Sequence, residues 1–302
     1  MMSGKTGLLI ACLLLVSALQ IPAQEPSDEP PWLVLEYGKM SFDRGEYGQA
    51  LRFFRQAIEK QALFPEAEMW IGAVFEEEGE YELAEKQYRR AYEMRNLLYV
   101  PEEKYAIMYN LSRIYYFGGK YSKYEEMLQT IIRDDVQFKD RNSELPFLFV
   151  KNMKESGIDK VLSLYRVNVT FSLNAHSQMG IFYYKTGRFD RATLHLAYSA
   201  VLLCSRFLDE LKKSDPDFKF RSLAESLTLL QKHPMLKEYL LDVEGFQVLY
   251  YLGAALYAEG APVHAAALWT LVSEWSPQAV WKDRSLKKLR SPYIEPLLNL
   301  GN

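Results

Sequence analysis

Apolar residues recur every three or four positions through most of the chain, which is the period of an amphipathic α-helix. Near the amino-terminal end this pattern repeats at an offset of 34 residues. The first copy contains Gly38, Gly45, Tyr47, Ala50, Phe54 and Ala57, and the second contains Gly72, Gly79, Tyr81, Ala84, Tyr88 and Ala91. In both copies the apolar positions continue on either side of a Gly-x-aromatic turn. Each copy is therefore predicted to be two helices joined by a tight turn.

Three further copies follow with more variation, and their turn glycines are Gly119, Gly187 and Gly260. A glycine at this position supplies the left-handed backbone conformation that ends the first helix and lets the chain reverse. The five predicted repeats cover about residues 31–64, 65–98, 105–138, 173–206 and 246–279. Two copies at an identical offset make a chance match of unrelated helical hairpins improbable, so the chain is predicted to be a repeat protein.

These residues and their period resemble the tetratricopeptide repeat (TPR), whose unit is 34 residues long. The recognisable repeats cover roughly half of the chain. The resemblance implies an all-α fold, a right-handed α-solenoid of helix-turn-helix repeats, here with extra helices between the repeats. It also implies that positions on the first helix of each repeat line an inner groove.

The segments between and after the repeats also have helical periodicity. Helices are expected over 145–155, 158–171, 190–213 and 235–258. Gly157 separates the first two of them. The last segment, 281–298, is interrupted by Pro292 and Pro296. It is expected to cap the final repeat, because a terminal repeat must cover an apolar face.

The amino terminus has the three-part layout of a secretory signal peptide. Lys5 precedes an unbroken apolar run over 8–16, and both Ala18 and Ala23 suit cleavage by a signal peptidase. The predicted organisation is a signal peptide over 1–23, a linker over 24–31 and the helical-repeat domain over 32–302. The apolar run is shorter than the roughly 20 residues that a membrane-spanning helix needs. An uncleaved anchor and lipidation at Cys12 are the open alternatives.

The leader predicts an exported protein, and the lack of paired cysteines suits the bacterial periplasm or cell envelope. Once the leader is removed, Cys204 is the only cysteine, so no internal disulfide can form. Membrane contact is expected only if the leader is retained or Cys12 is lipidated. The net charge of −3 and the pI of 5.9 exclude a large basic surface, so nucleic acid is not an expected partner.

No catalytic or cofactor signature occurs in the sequence. It contains no Gly-rich phosphate loop, no His-Glu-x-x-His, no Gly-x-Ser-x-Gly and no Cys-x-x-Cys. His176 and His195 belong to the two helices of the fourth repeat and could approach each other, but a metal site would still need carboxylates. We therefore expect no enzyme activity, no metal and no cofactor.

Binding is the function that remains, and polar and aromatic side chains are concentrated at the positions that would line the groove. The candidate binding residues are Trp70, Tyr109, Asn110, Arg113, Tyr116, Asn174, Gln178, Tyr184, Tyr250 and Tyr257. Tyrosine, tryptophan and arginine are enriched in binding hot spots. The sequence thus predicts an exported, non-enzymatic scaffold or adaptor that binds a protein or peptide partner associated with the envelope. The alternative is an accessory component of a solute transport system that encloses a small or apolar ligand.

Overall fold

The structure is a computed structural model that describes residues 29–135, 144–168 and 170–298. The predicted signal peptide, Cys12 and most of the predicted linker lie outside the described residues. Within them the chain forms fourteen α-helices and no β-strand, which confirms the all-α fold class. The helices are α1 (Pro31–Asp43), α2 (Tyr47–Lys60), α3 (Pro65–Glu77), α4 (Tyr81–Glu93), α5 (Lys104–Phe117), α6 (Tyr121–Asp134), α7 (Leu145–Leu164), α8 (Leu173–Lys185), α9 (Phe189–Ser214), α10 (Leu223–Thr228), α11 (Pro234–Asp242), α12 (Gly245–Ala258), α13 (Pro262–Trp275) and α14 (Ala279–Arg290).

Five antiparallel helical hairpins form the framework: α1 with α2, α3 with α4, α5 with α6, α8 with α9, and α12 with α13. A glycine with φ between 67° and 81° stands in the turn of every hairpin. These glycines are Gly45, Gly79, Gly119, Gly187 and Gly260. A residue with a β-carbon is strained in this conformation, so the repeated glycine has a direct structural reason.

Close contact inside the hairpins depends on a second glycine, in the first helix. A β-carbon added at Gly72 would lie 2.7 Å from the ring of Tyr88, which is fully buried in the second helix. In the fourth hairpin a β-carbon at Gly180 would lie 2.6 Å from Cγ of Leu196 and 3.0 Å from its backbone nitrogen. The first helix therefore approaches its partner as closely as a glycine permits.

The hairpins pack in chain order, because each second helix contacts the first helix of the following hairpin. In this way α2 packs on α3, α4 on α5, α6 on α8 and α9 on α12, and α14 covers α13 at the carboxyl-terminal end. Trp70 and Phe75 contact both the small apolar cluster of the first two hairpins and the large cluster of the remaining chain. One apolar core thus runs the length of the described chain, as in a repeat protein whose units cannot bury their faces alone.

The additional helices pack around α9, whose 26 residues extend beyond the length of an ordinary repeat helix. Helix α7 contacts α9 and α13, and Lys154 of α7 forms an ion pair of 2.8 Å with Glu259. It changes direction at Gly157, where φ is 81°, and it ends at Leu164 rather than at residue 171 as the sequence predicted.

The prediction of a single helix over 235–258 is wrong. The structure divides it into α11 and α12 at Glu244, which has the left-handed φ of 50°. After the break, α12 forms the fifth hairpin, while Tyr239 of α11 donates a hydrogen bond of 3.2 Å to the carbonyl of Leu203 on α9. Separate packing of the two halves overrides the continuous helical periodicity.

None of the helices in the described part of the chain has the length and apolar character that crossing a bilayer requires.

Candidate functional site

The first helices of the five hairpins contact one another in order and form one surface, here called the first-helix face (α1, α3, α5, α8 and α12). Its first contact joins α1 to α3, where the rings of Phe42 and Trp70 lie 5.2 Å apart in an edge-on arrangement. Nζ of Lys39 lies 5.8 Å from the centre of the Trp70 ring. An ammonium at this distance from an indole is weakly attracted by the ring electrons. Trp70 is half-buried, so part of its ring remains available at the surface.

An ion pair joins α3 to α5. Nε of Arg113 lies 2.5 Å from one carboxylate oxygen of Glu76, and a terminal nitrogen lies 2.7 Å from the other. The same terminal nitrogen donates to Oδ1 of Asn110 at 3.1 Å. The hydrogen bond with Glu76 raises the pKa of Arg113 despite partial burial. Arg113 therefore holds two hairpins together in this structure, and Asn110 supports its guanidinium from the same helix, so both side chains are engaged within the chain.

Tyr109 joins α5 to the start of α8. Its hydroxyl donates to the carbonyl of Phe171 at 2.5 Å and accepts from the backbone N–H of Ala175 at 2.9 Å. Burial raises the pKa of Tyr109 well above its ordinary value. The ring of Tyr105 stacks on Phe171 with the centroids 4.6 Å apart. Tyr109 thus completes the backbone hydrogen bonding at the amino-terminal end of α8.

An aromatic cluster on the same face contains Tyr116. Its ring lies 5.2 Å from that of Tyr124 and 6.5 Å from that of Phe182 on α8, and Nζ of Lys185 lies 5.9 Å from its centre. The neighbouring Phe117 is 64% exposed. Asn174 and Gln178 of α8 are exposed as well. Here the face offers aromatic, amide and ammonium groups to solvent.

The last part of the face carries the carboxyl-terminal segment, residues 291–298, here called the tail, which forms neither helix nor strand. Ser291 has extended backbone angles, and the prolines at 292 and 296 favour an extended backbone at the residues that precede them. The tail begins directly after α14 and crosses α12 and α8. The hydroxyl of Tyr257 donates to the carbonyl of Pro292 at 3.3 Å, and the backbone N–H of Glu295 donates to the hydroxyl of Tyr184 at 3.2 Å. The N–H of Leu298 donates to the carbonyl of Lys185 at 2.7 Å. An extended stretch of polypeptide therefore lies on the first-helix face.

Glu295 anchors the tail. A terminal nitrogen of Arg284 lies 2.7 Å and 2.6 Å from its two carboxylate oxygens, and the hydroxyl of Tyr250 donates a short hydrogen bond to one of them. Nζ of Lys288 lies 3.8 Å from the same carboxylate. Burial alone would raise the pKa of Glu295, but the hydrogen bonds from Tyr250 and Arg284 outweigh burial and hold this pKa below its ordinary value. The carboxylate is therefore ionised at neutral pH.

The two cations around Glu295 lie among aromatic rings. The guanidinium of Arg284 lies 4.8 Å, 5.5 Å and 5.0 Å from the ring centres of Tyr250, Tyr251 and Trp281. Lys288 has no exposed surface, and burial lowers its pKa to about 8 in spite of the attraction of Glu295. Two cations surrounded by rings thus share one carboxylate, an arrangement that strengthens charge-assisted hydrogen bonds.

The structure places the candidate residues from the sequence in three groups. Tyr184, Tyr250 and Tyr257 come together beneath the tail, and the first two are buried there. Tyr109, Asn110, Arg113 and Tyr116 follow one another along α5. Tyr109 and Arg113 are engaged in bonds between hairpins, and Asn110 accepts a hydrogen bond from Arg113 within α5. Trp70, Asn174 and Gln178 lie on the part of the face that the tail does not cover. Their role in binding stays a prediction.

Sequence reasoning missed the residues that hold the tail: Trp281, Arg284, Lys288 and Glu295. The sequence indicates only a cap in this segment, since it contains no repeat motif. Its one usable signal is that Glu295 is directly followed by Pro296 in a stretch where Pro292 already prevents a helix. An acidic residue in an extended stretch suggests a specific contact but does not name the partner atoms.

The two histidines of the fourth hairpin do approach each other. Nδ1 of His176 lies 3.0 Å from Nδ1 of His195, so one nitrogen donates and the other accepts. Burial lowers the pKa of His176 well below its ordinary value, and the neighbouring His195 lowers it further. Burial, with Arg191 nearby, lowers the pKa of His195 to about 4. No group of three or more histidine, cysteine, aspartate or glutamate side chains in the described ranges is arranged to hold a metal ion.

Two cavities bear on the possibility of a small ligand. An apolar cavity of about 10 Å³ lies beside Cys204 under α10, α11 and α12. A volume of this size holds roughly one water molecule. A surface depression of about 440 Å³ lies along α4 and Lys120, and all seven of its lining side chains are charged. Neither cavity has both the size and the apolar lining that an enclosed small ligand requires.

No protein-family model matches the chain. An uncharacterised protein of Treponema pallidum (strain Nichols) is 25% identical over 237 residues, which are 78% of this chain and 63% of that protein. The chain therefore spans less than two thirds of the length of this relative. An uncharacterised protein of Borreliella burgdorferi is 20% identical over 278 residues, which are 82% of this chain and 86% of that protein.

Two solved structures are similar to the chain, with low TM-scores and low sequence identity. One comes from work described as the functional characterisation of Pseudomonas aeruginosa PilF, with a TM-score of 0.40 and 14% identity over 85% of this chain and 97% of that one. The other is the carboxyl-terminal part of a TPR repeat-containing protein from Cytophaga hutchinsonii, with a TM-score of 0.31 and 15% identity over 83% of this chain and 99% of that one.

Proposed function

We propose that the chain is an exported, non-enzymatic, TPR-like scaffold that binds a protein or peptide partner along its first-helix face. The observation that carries the proposal is the position of the tail. An extended segment lies across Tyr184, Tyr250 and Tyr257, three residues that the repeat register had assigned to partner binding. A surface that holds one extended polypeptide through side-chain and backbone hydrogen bonds has the chemistry to hold another.

The uncovered part of the face supplies the remaining contact area. Trp70, Tyr116 and the exposed Phe117 offer rings, and the exposed Asn174 and Gln178 offer amide groups. Rings with adjacent polar groups combine a large contact area with hydrogen bonding, as binding hot spots do. Export and association with the cell envelope rest on the amino-terminal leader pattern. The acidic net charge supports a protein partner rather than nucleic acid.

The alternative function, enclosing a small or apolar ligand for a transport system, has weaker support. It needs an apolar cavity of several hundred cubic ångströms. The apolar cavity beside Cys204 has about 10 Å³, and the larger depression on α4 is lined by charges.

The test compares two phenylalanine variants in which equally exposed rings are removed. Phe117 on the first-helix face and Phe147 on α7 are both 64% exposed. The tagged full chain is crosslinked in the cells that produce it, and proteins captured from the envelope fraction are identified by mass spectrometry. We expect F117A to lose most of the captured partner and F147A to keep it. An unchanged partner yield in F117A, with the partner crosslinking elsewhere, would contradict binding along this face.

The export proposal is tested on the same cells. Fractionation should place the chain in the periplasm or envelope, and the amino-terminal sequence of the purified protein should begin after Ala18 or Ala23. Recovery of the uncleaved chain in the cytoplasm would overturn it.

A further inference from the structure

The tail is held by polar contacts rather than by burial. Tyr293 and Ile294 are each 46% exposed and Leu297 is 49% exposed, so its apolar side chains contribute little buried area. Glu295 is partly buried between exposed neighbours, with the side chain only 13% exposed. The tail is fixed by the Glu295 carboxylate, by a few backbone hydrogen bonds and by Lys288, which donates to the carbonyl of Tyr293 and lies 3.7 Å from the centre of its ring. None of these contacts belongs to the apolar core, so the tail can leave its position without opening that core.

The surface beneath the tail differs from an ordinary protein exterior. Tyr184 and Tyr250 are buried, and Arg284 lies among the rings of Tyr250, Tyr251 and Trp281. Clustered rings with a guanidinium are the composition of a binding hot spot. If the tail moved away, Arg284 and Lys288 would lose their shared carboxylate and leave two cations in an aromatic setting. Such a site strongly favours another carboxylate.

We propose that the tail is a displaceable occupant of a peptide site on α8, α12 and α14, and that the site binds an extended segment of a protein partner that presents an acidic side chain to Arg284, Lys288 and Tyr250. The proposal deepens the binding function argued above and rests on it for the class of partner. The chemistry of the occupant comes from the tail itself: an extended backbone, one carboxylate and apolar side chains that remain largely outside.

The tail then regulates binding by competition. A partner binds only the fraction of molecules from which the tail has moved away, so its apparent affinity falls in proportion to that fraction. A change that weakens the tail in its own molecule should therefore raise the affinity for an acidic peptide added in solution. This behaviour distinguishes a displaceable occupant from a permanent structural cap.

The experiment uses the full chain and a fluorescein-labelled synthetic peptide with the sequence of residues 291–298 (SPYIEPLL). Fluorescence anisotropy measures binding to wild type, to E295Q and to E238Q, the control, which changes an exposed glutamate on α11. E295Q is expected to bind the peptide at least tenfold more tightly than wild type, and E238Q to behave as wild type. A second peptide with glutamine at the acidic position (SPYIQPLL) should bind E295Q at least tenfold more weakly than the first.

A second variant guards against a change in folding. Y250F keeps the buried ring but removes the same hydrogen bond from the tail and from the added peptide, so it should change the peptide affinity much less than E295Q does. Circular dichroism must show unchanged helix content in both variants. Equal peptide affinity of wild type and E295Q, or equal affinity of E295Q for the two peptides, would overturn the proposal. The F117A capture test probes a different part of the face. A negative peptide result would therefore reject the tail proposal without rejecting the binding function, and a negative capture result would reject the binding function itself.

Discussion

Arg113 on α5 contacts both carboxylate oxygens of Glu76 on α3, and this pair spans the boundary between the second and third hairpins. The residues are 37 positions apart, slightly more than one repeat. Tyr88 donates a further hydrogen bond of 2.8 Å to Glu76 from the second helix of the same hairpin. Glu76 is largely buried, whereas about half of the Arg113 side chain is exposed. The pair therefore links neighbouring repeats on the first-helix face.

Replacing Arg113 with alanine should lower the free energy of unfolding by about 1 kcal/mol, because Glu76 loses two charge-assisted hydrogen bonds but keeps the one from Tyr88. Urea denaturation followed by circular dichroism measures the change. R113K is the matched variant: it keeps the charge but not the two-nitrogen geometry, and it should lie between R113A and wild type. If R113A is as stable as wild type, the ion pair does not stabilise the boundary.

Tyr109 gives a second test of the contacts between hairpins. Y109F removes the hydroxyl that bridges the carbonyl of Phe171 and the N–H of Ala175, and it leaves both backbone groups without this partner. We expect a loss of about 1–2 kcal/mol in the free energy of unfolding. Y293F removes the hydroxyl of a tyrosine that is 46% exposed in the tail and should change stability little. Equal free energies of unfolding in the two variants would show that the hydroxyl of Tyr109 does not stabilise the fold.

The close approach of the hairpin helices predicts a strong contrast between two glycine variants. G180A places a β-carbon against Leu196, including its backbone nitrogen, and should destabilise the chain by about 1–3 kcal/mol. G48A adds a β-carbon near the start of α2, where no atom lies within 4 Å, and it should be neutral or slightly stabilising. Thermal unfolding of both variants measures the contrast. A neutral G180A would mean that the two helices can separate at no cost.

The hairpins could be predicted from the sequence because their determinants are local. A turn glycine with positive φ and apolar residues at helical spacing act within one repeat, and the long helix α9 has the same local signal. The break at Glu244 has a different origin, since helical periodicity continues through it and the separate packing of α11 and α12 decides the geometry.

The site was only partly predictable for a similar reason. The repeat register identifies positions on the first helices, and the structure places Tyr184, Tyr250 and Tyr257 side by side. The repeat register does not indicate which segment of the chain covers those three tyrosines. The contact between Tyr250 and Glu295 joins residues 45 positions apart, a separation that does not match the repeat period. No periodic pattern in the sequence therefore predicts this contact. Likewise, Asn110 and Arg113 have the composition of binding residues, but Arg113 pairs with Glu76 of the preceding hairpin and Asn110 accepts a hydrogen bond from Arg113.

The buried histidine pair predicts a loss of stability in weak acid. Because the pKa of His195 is lowered to about 4 and that of His176 is lowered well below its ordinary value, the folded chain does not take up these protons when the pH falls below about 6.5, whereas the unfolded chain does. Their contribution to stability is therefore fully present above pH 6.5 and is lost progressively towards pH 4. At about 1.36 kcal/mol per pKa unit, His195 alone accounts for a loss of about 3 kcal/mol near pH 4.

The effect of the histidine pair on stability can be distinguished from that of Glu295 and Glu125 by the pH range in which each appears. Glu295 and Glu125 have lowered pKa values, so their contributions are lost only below the ordinary glutamate range near pH 4.3. Burial raises the pKa of Glu68 and of Glu103, so these two carboxyls also affect the pH dependence of stability above pH 4.3.

The difference in pH dependence between wild type and a histidine variant, measured by urea denaturation between pH 6.5 and 5, therefore isolates the histidines. H195N keeps a hydrogen-bonding atom towards His176 but cannot titrate, and it should flatten the dependence of the free energy of unfolding on pH. H233N leaves the pair intact and should retain the wild-type slope. An equal dependence of stability on pH in H195N and in wild type between pH 6.5 and 5 would contradict burial of a neutral pair.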